Sequence, residues 1–462
     1  MATSPSIPTE LGTEKIGRLL KQYALPAIIA QTAASLYNMV DSIFIGQGVG
    51  PLAISGLAVT FPLMNLSTAF GTLVGAGAAT MLSVLLGQKN YKAANKVLGN
   101  VVTLNVIIGL VFMAVALIFI DPILYFFGAS ENTLPYAKEY IRIILAGNVV
   151  THLYFGLNAA MRSSGSPKKA MGLTIFTVVF NTILDPIFIF VLDMGIAGAA
   201  WATVIAQTAA MIVVLRHFSD TRRPFHFEKG IFSLDMRVAK DSLAIGMGPF
   251  LMNAAACLVT LFINQQLREY SGDLGIGAYG ICNRFVFMFI MICMGLNQGM
   301  QPIAGYNYGA RKYSRVKEVF WKTARLGMVM TTICFIFGVF FPKAAVGIFT
   351  HDEELINMSA RALRILTLVF PIVGFQMIST NFFQSLGMVR KSVILSLSRQ
   401  ILFLLPLLYV LPLWVGADGV WASFPISDTL ATLLTIIMLG RLFKKFNRLK
   451  DGDDPSVLGG QL

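Results

Sequence analysis

The sequence predicts an all-α polytopic membrane protein, with twelve transmembrane helices in two pseudo-symmetric six-helix lobes around a central cavity. Composition, the placement of basic residues and an internal repeat predict this fold. Of the 462 residues, 56% are hydrophobic and 13% are charged, whereas a soluble domain carries about 25% charged residues. Because a bilayer core offers the backbone no water, apolar runs of about 20 residues cross it as helices.

Apolar runs of spanning length follow one another along the chain. The twelve predicted spans are residues 19–46, 51–79, 97–120, 136–161, 169–192, 196–217, 238–266, 276–304, 318–345, 356–386, 392–415 and 418–443. The predicted domains are a cytoplasmic N-terminal segment (1–18), an N-lobe (19–217), a cytoplasmic linker (218–237), a C-lobe (238–443) and a cytoplasmic C-terminal tail (444–462).

The basic residues that produce the net charge of +13 lie in alternate connections between the spans. Lys89, Lys92 and Lys96 fall in one such connection, and Arg311 and Lys312 fall in another. This positive-inside pattern predicts a multi-pass protein of the plasma (inner) membrane with both termini in the cytoplasm. A nucleic-acid-binding surface would not skip every second connection, so we expect no nucleic-acid partner.

Similar short motifs recur in the two halves at a constant separation. Residues 87–91 (GQKNY) resemble residues 309–313 (GARKY), and Gly165 corresponds to Gly387, each pair being 222 positions apart (309 − 87 and 387 − 165). A repeat of six spans keeps its orientation, so we expect the two lobes to be related by an axis along the membrane normal. Two parallel bundles with a cavity between them are typical of transporters that work by alternating access.

An acidic residue lies in each of two predicted spans of the N-lobe. Asp185 is in span five, one helical turn after Asn181 and directly before Pro186, and Asp41 is in span one. A carboxylate at the bilayer centre costs roughly 2.5–3.5 kcal/mol or more, so it indicates a functional site. Pro186 lacks an amide hydrogen and thereby frees a carbonyl near Asp185. We interpret the acids as one cation-coupling site; the alternative is a purely structural set of interhelical hydrogen bonds.

Other polar and polarisable residues within the spans have both functional and structural interpretations. They either line a substrate cavity or serve packing and interhelical hydrogen bonding. The candidates for the cavity are Asn158, Met288 and Met291. An unpaired charge within the membrane is costly, so we expect Asp428 to form a structural ion pair with Arg284 or Arg399.

Three stretches resemble motifs of the multidrug and toxic compound extrusion (MATE) family. Residues 298–310 (QGMQPIAGYNYGA) resemble its motif at the end of helix eight, Asn181-x-x-x-Asp185-Pro186 resembles its helix-five motif, and residues 384–387 (QSLG) resemble the end of its helix ten. The resemblance extends over essentially the whole chain. It implies two six-helix lobes about a central cavity, and export of bulky, often cationic compounds in exchange for protons or sodium ions.

The resemblance also implies which residues bind the coupling ion, H⁺ or Na⁺, in the N-lobe. They are Asp41, Asn181, Asp185 and Thr203. The sequence supports this set independently, because the acids lie near the outer ends of their spans and Thr203 lies about two turns into span six, which starts outside. The second-lobe acids of one sodium-coupled branch have no counterparts here, and Asn264 is the nearest counterpart of Asp41. We therefore expect the N-lobe alone to carry the coupling.

The residues and the resemblance together predict a secondary multidrug antiporter, not an enzyme, that needs no cofactor besides its coupling ion. Its expected partners are an organic cation or amphipathic drug and membrane lipid, and we expect it to function as a monomer. The alternative is a flippase for a lipid-linked or amphiphilic metabolite, although few Lys or Arg lie within the spans to hold a phosphate. A lipid-modifying enzyme and ATP-driven transport are disfavoured, because the sequence has neither a surface cluster of acids or histidines nor a Walker motif.

Overall fold

The computed structural model describes residues 9–228, 230, 232–349 and 352–454, and helices form most of these ranges. Within them, the side chains of residues 37–39, 42, 43, 46, 51, 54 and 273 are not described. Residues 1–8 of the predicted N-terminal segment and residues 455–462 of the predicted C-terminal tail lie outside the described residues.

The first repeat contains six helices in the predicted order. They are α1 (Ile16–Gly48), α2 (Pro51–Gly87), α3 (Tyr91–Ile118), α4 (Leu134–Ala146 and Asn148–Ser163), α5 (Pro167–Val191) and α6 (Gly195–Ser219). Short helices at Glu10–Thr13 and Ile120–Phe126 precede α1 and follow α3.

The second repeat has the same sequence of elements. They are α7 (Met236–Gly272), α8 (Leu274–Gly309), α9 (Tyr313–Phe340), α10 (Glu353–Thr367 and Phe370–Ser385), α11 (Val389–Val415) and α12 (Ala417–Phe446). A short helix, Pro342–Gly347, follows α9, as Ile120–Phe126 follows α3 in the first repeat.

The helix count agrees with the predicted polytopic fold. Among the described residues, nine helices are long and apolar enough to cross a membrane, and the bent helices α4 and α10 raise the number to as many as eleven. The one further predicted span corresponds to α1, a helix of 33 residues. The predicted all-α membrane fold is confirmed, and each predicted span corresponds to one of the helices α1 to α12.

The backbone repeats the same irregular features in both halves. Lys89 and Arg311, 222 positions apart, both have positive φ (60° and 57°), which residues other than glycine rarely adopt. Gly50 and Gly272, also 222 apart, have φ of 112° and 64°. The two segments of α4 meet at 54°, and those of α10 meet at 55°. The internal repeat is therefore structural as well as a similarity of sequence.

The helices group into two compact units whose division differs from that of the predicted lobes. The first unit contains Ile29–Phe250, and the second contains Glu14–Ile28 and the C-terminal half of the chain. The sequence places the division in the linker at 218–237, whereas the units divide within α1 and α7, shortly after Pro26 and Pro249. The start of each repeat's first helix thus packs with the other repeat.

Small residues allow this packing in the first unit, where the beginning of α7 contacts α2. A Cβ added to Gly246 would lie 1.7 Å from the carbonyl oxygen of Leu73, and one added to Gly77 would lie 1.9 Å from the carbonyl oxygen of Ser242. The two helices touch through their backbones, which only glycine permits at these points.

Glycines have the same role in the second unit, where the beginning of α1 contacts α8. A Cβ on Gly295 would lie 2.6 Å from the Cα of Ile28, and one on Gly299 would lie 2.3 Å from the Cα of Ala24. These contacts explain why residues 14–28 belong to the second unit.

Gly246→Ala is expected to destabilise the protein by about 3 kcal/mol, the upper end of the usual cost of overpacking, because the backbone of α2 would have to move. The free energy of unfolding in detergent measures this effect. Gly440→Ala on α12 is the control, since a Cβ there would meet nothing within 4 Å. The control should be neutral or up to about 1 kcal/mol more stable, as alanine favours the helix. Equal losses in both variants would contradict the prediction.

Candidate cation-coupling site

The first unit encloses two carboxylates, one on α1 and one on α5. Asp41 is 6% exposed and Asp185 is 0% exposed. Their carboxylates lie close enough to repel each other electrostatically. Asn181, one turn before Asp185, donates a hydrogen bond from Nδ2 to Asp185 Oδ1 over 2.8 Å. The structure therefore brings these three predicted residues together.

Thr203 on α6 is buried at the same level of the first unit. Its hydroxyl donates to the carbonyl oxygen of Ala199, one turn earlier on the helix, over 3.1 Å. Ala199 belongs to an apolar cluster that also contains Ile45, one turn beyond the α1 acid, and Ile189, one turn beyond the α5 acid. Asp41, Asp185 and Thr203 thus share one depth, about one turn (5.4 Å) from this cluster, and Asn181 lies one turn further from it.

Tyr140 is a member of this site that the sequence analysis did not identify. It lies on the first segment of α4, is 1% exposed and packs in the same apolar cluster. Its phenol lies within electrostatic range of both Asp41 and Asp185. Span four starts on the same side of the membrane as span six, so depth along the span is the signal that could have identified Tyr140.

The helix that carries Asp185 changes its hydrogen bonding directly after this residue. Pro186 has no amide hydrogen, so the carbonyl of Thr182 cannot accept its usual helical bond. Beyond the proline, Ile187–Val191 forms a π-helical turn, a local widening that is frequent at functional sites. Gly198 on α6 allows close approach here, because a Cβ on it would lie 2.8 Å from the backbone of this turn.

Each carboxylate of the site has one oxygen to which no described residue donates a hydrogen bond. Within the part of the chain that the structure describes, Asp41 Oδ1 and Asp185 Oδ2 are buried and have no hydrogen-bond partner. Leaving a buried polar atom unsatisfied costs about 1–3 kcal/mol, and more when it is charged. Such a pocket favours either a proton on a carboxyl group or a small cation between the oxygens. Asn181 and Thr203 add neutral oxygens, so the set suits a hard cation such as Na⁺.

The second unit has uncharged residues at the corresponding positions. The repeat places Ile263 or its neighbour Asn264 where the first unit has Asp41 (263 − 41 = 222 and 264 − 41 = 223). It places Leu407 at the position of Asp185 and Phe424 at that of Thr203 (407 − 185 = 222 and 424 − 203 = 221). Ile263 lies in the apolar core of the second unit, and Phe424 packs against that core. Asn264, adjacent to Ile263, is half-buried. Uncharged side chains thus occupy the place of the acid pair.

In the second unit, Asp428 on α12 forms an ion pair with Arg399 on α11. Arg399 Nε donates to Asp428 Oδ1 over 2.5 Å and Nη2 donates to Oδ2 over 3.4 Å, with side chains 26% and 6% exposed. Ser427 Oγ also donates to the carbonyl of Arg399 over 2.6 Å. Of the two expected partners, Arg399 therefore makes the ion pair seen in the described chain, whereas Arg284 is exposed on α8.

The three candidates for the substrate cavity have different surroundings. Asn158 on α4 is buried, and its Nδ2 donates to the carbonyl of Ala170 on α5 over 3.2 Å, which is the interhelical hydrogen bond of the structural interpretation. On α8, Met288 is exposed and Met291 is half-buried. A role in substrate binding stays a prediction for all three.

Comparison with known families gives two matches to one family model. The MatE model matches residues 26–187 and residues 249–410. The chain belongs to the MatE family. Each MatE match begins at a proline, Pro26 or Pro249, and each covers one half of the internal repeat. The predicted resemblance to this family is confirmed.

Individual MatE-like proteins are similar over almost the whole chain. The multidrug export protein MepA of Staphylococcus aureus (strain MRSA252) is 28% identical over 429 residues, which are 91% of this chain and 93% of MepA. A solved structure of the MATE multidrug transporter DinF-BH in complex with a ligand is 36% identical, with a TM-score of 0.88 over 95% of this chain and 98% of that one. An outward-facing MATE family transporter of the MOP superfamily shares the fold at 22% identity and a TM-score of 0.89, over 96% of this chain and 100% of that one.

Proposed function

We propose that this MatE protein is a secondary antiporter that exports cationic or amphipathic organic compounds in exchange for protons or sodium ions. The observation that carries the proposal is the buried pair Asp41 and Asp185, with two carboxylate oxygens that lack a donor among the described residues. We also propose that it works as a monomer in the plasma (inner) membrane with both termini in the cytoplasm. The alternation of basic and base-poor connections supports this orientation.

The ion exchange follows from the energetic cost of the ionised pair. When both carboxylates are charged, they repel each other without solvent, so uptake of H⁺ or Na⁺ lowers the free energy of the pocket. Release of that ion on the other side of the membrane leaves both carboxylates charged again. The charged pair favours a conformation in which water reaches the carboxylates. A membrane potential of 100 mV supplies about 2.3 kcal/mol for each positive charge moved inward. Repeated loading and release can therefore drive export.

The proposed substrate class rests on the relatives. MepA is named a multidrug export protein, and DinF-BH is named a MATE multidrug transporter. Both are similar to this chain over more than nine-tenths of their lengths. We extend multidrug export to this protein on that basis, with organic cations and amphipathic compounds as its substrates.

Dye transport in liposomes tests the coupling directly. The purified protein is reconstituted with a fluorescent organic cation inside, and a proton gradient and a sodium gradient are imposed separately at the same membrane potential. We expect export to require the gradient of the coupling ion and to stop when an ionophore collapses it. Export that is independent of both gradients would contradict the proposal, as would lipid translocation in place of dye export.

A further inference from the structure

A single arginine connects the beginning of α1 to the turn between α8 and α9. Arg315, in the first turn of α9, donates from Nη2 to the carbonyl oxygen of Glu14 over 2.5 Å. Its Nε donates to Oδ1 of Asn307, in the last turn of α8, over 2.9 Å. Glu14 lies two residues before α1, the helix that carries Asp41 further along. All of these hydrogen bonds lie within the second unit.

Residues that follow α12 form hydrogen bonds with the turn between α8 and α9, directly before Arg315. Asp451 accepts hydrogen bonds from the backbone amide and the hydroxyl of Ser314, over 2.9 Å and 2.5 Å. The amide of Gly452 donates to the carbonyl of Arg311 over 2.8 Å. The hydroxyl of Tyr313 donates to the carbonyl of Asp453 over 2.8 Å. Residues 451–453 are thus hydrogen-bonded to the second unit through the turn before α9.

The corresponding helix of the first repeat, α3, is capped by a residue directly before it, whereas α9 is capped by Asp451. There, Asn90 caps α3 with its own side chain, which accepts a hydrogen bond from the amide of Ala93 over 3.2 Å. The equivalent residue before α9 is Lys312 (90 + 222), whose ammonium group can only donate hydrogen bonds and therefore cannot cap the helix. Asp451 supplies the missing acceptor from 137 positions away in the chain.

The cap formed by Asp451 stays ionised over a wide pH range. Partial burial is the largest single effect and raises the pKa of this carboxyl group. The hydrogen bonds from the hydroxyl and amide of Ser314 and from the amide of Tyr313, with the charge of Lys317, together lower it by more, so the net pKa is below its ordinary value. The hydrogen bonds to the carboxylate are therefore present at neutral pH and are lost only as the pH falls through that lowered pKa.

We infer that Arg315 and Asp451 are positioning residues for ion coupling, because together they fix the beginning of the helix that carries Asp41. We call this set of contacts the α1 anchor. The inference rests on the proposed function, since it assigns the anchor a role in the ion cycle. In this structure the α1 anchor is formed and Asp41 and Asp185 are buried. In this state water competes least with the carboxylates for the bound ion. Loss of the anchor lowers the population of that state and so weakens the apparent binding of the coupling ion.

The first unit offers a matched control for this inference. Asn100 on α3 accepts a hydrogen bond from the amide of Asp235 over 3.1 Å, directly before α7 begins. Lys96, one turn earlier, pairs with the same aspartate over 3.3 Å. These contacts fix the beginning of α7 as the α1 anchor fixes α1. However, α7 has Ile263 and Asn264 where α1 has Asp41, so loosening it should not affect ion binding.

The test compares hydrogen–deuterium exchange and ion-driven dye export for the full-length protein and three variants, Arg315→Ala, Asp451→Ala and Asn100→Ala. We expect the first two to accelerate exchange of residues 14–20 by about tenfold. They should also raise the half-saturating concentration of the coupling ion by roughly 3–10-fold, while the maximal rate changes little. Asn100→Ala should accelerate exchange at residues 232–245 and leave the half-saturating concentration unchanged.

Two results would overturn the inference. One is unchanged exchange at residues 14–20 in both anchor variants, and the other is faster exchange there without any shift in ion dependence relative to Asn100→Ala. Asp451→Ala keeps the test decisive if Arg315→Ala does not fold, because position 451 lies outside the helices. A failure of the proposed function itself would be seen differently, as export by the wild-type protein that does not depend on either ion.

Discussion

Asp41→Asn and Asp185→Asn are each expected to abolish ion-driven export while the protein remains folded. The amide has the shape of the carboxylate but takes up no proton and offers Na⁺ no negative charge. The amide oxygen at position 185 can still accept the hydrogen bond that Asn181 now donates over 2.8 Å, so the packing of α5 is preserved. The initial rate of dye export under an ion gradient should fall to that of protein-free liposomes, with an unfolding temperature close to that of the wild type.

Asn264→Ala is the matched control for both substitutions. It removes the polar side chain that, with its neighbour Ile263, stands where the first unit has Asp41. The surrounding core is apolar, so ion-driven export should continue at a rate close to that of the wild type. Normal export by both acid variants would show that ions are not coupled through this pair.

Asp428→Asn is expected to cost about 3–5 kcal/mol in the free energy of unfolding, because it leaves the Arg399 guanidinium without its counter-charge in a membrane segment. The protein should unfold at a markedly lower denaturant concentration in detergent. Replacing both partners by apolar residues, Arg399→Met with Asp428→Leu, should recover most of the loss, since no charge is then left unpaired.

An exposed ion pair in the same unit shows how much of this effect depends on burial. Arg361 pairs with Asp418, but their side chains are 71% and 37% exposed. Arg361→Ala is therefore expected to cost no more than about 1 kcal/mol. If Arg361→Ala and Asp428→Asn lower the free energy of unfolding by the same amount, burial would not explain the large contribution expected of the Arg399–Asp428 pair.

The sequence was sufficient for the order and number of the helices, because spanning length and apolar content are local properties. The bends within α4 and α10 were not predictable in this way. α4 bends at Gly147, which packs against α6 so closely that a Cβ there would lie 2.7 Å from the side chain of Val204. This contact joins residues far apart in the chain and is not visible in the local sequence. The division of the units within α1 and α7 depends likewise on glycine contacts between residues far apart in the chain, such as Gly246 and Leu73.

The candidate site was predictable to the extent that its residues are unusual in their surroundings. Asp41 and Asp185 stand out because a charge is rare within an apolar run. Thr203 was predicted as a site residue only from the family resemblance and from its depth in the span, because threonine is common in transmembrane spans. Tyr140 was missed because a phenol in an apolar run is ordinary in composition. Asp451 lies in a polar segment that looks like an ordinary solvated end, and only the fold reveals its partner Ser314.

The apolar core at Ile263 and Phe424 has a consequence for the stoichiometry of the proposed cycle. With one such acid pair among the residues that the structure describes, two monovalent ions are the most that these carboxylates can carry in one turnover. Exchange of one ion for a monovalent organic cation would be electroneutral, whereas exchange of two would move net charge and draw on the membrane voltage. With a tenfold ion gradient, exchange of one ion can maintain at most about a tenfold concentration ratio of the organic cation across the membrane. Exchange of two ions can maintain about a hundredfold ratio, and the membrane voltage adds to it.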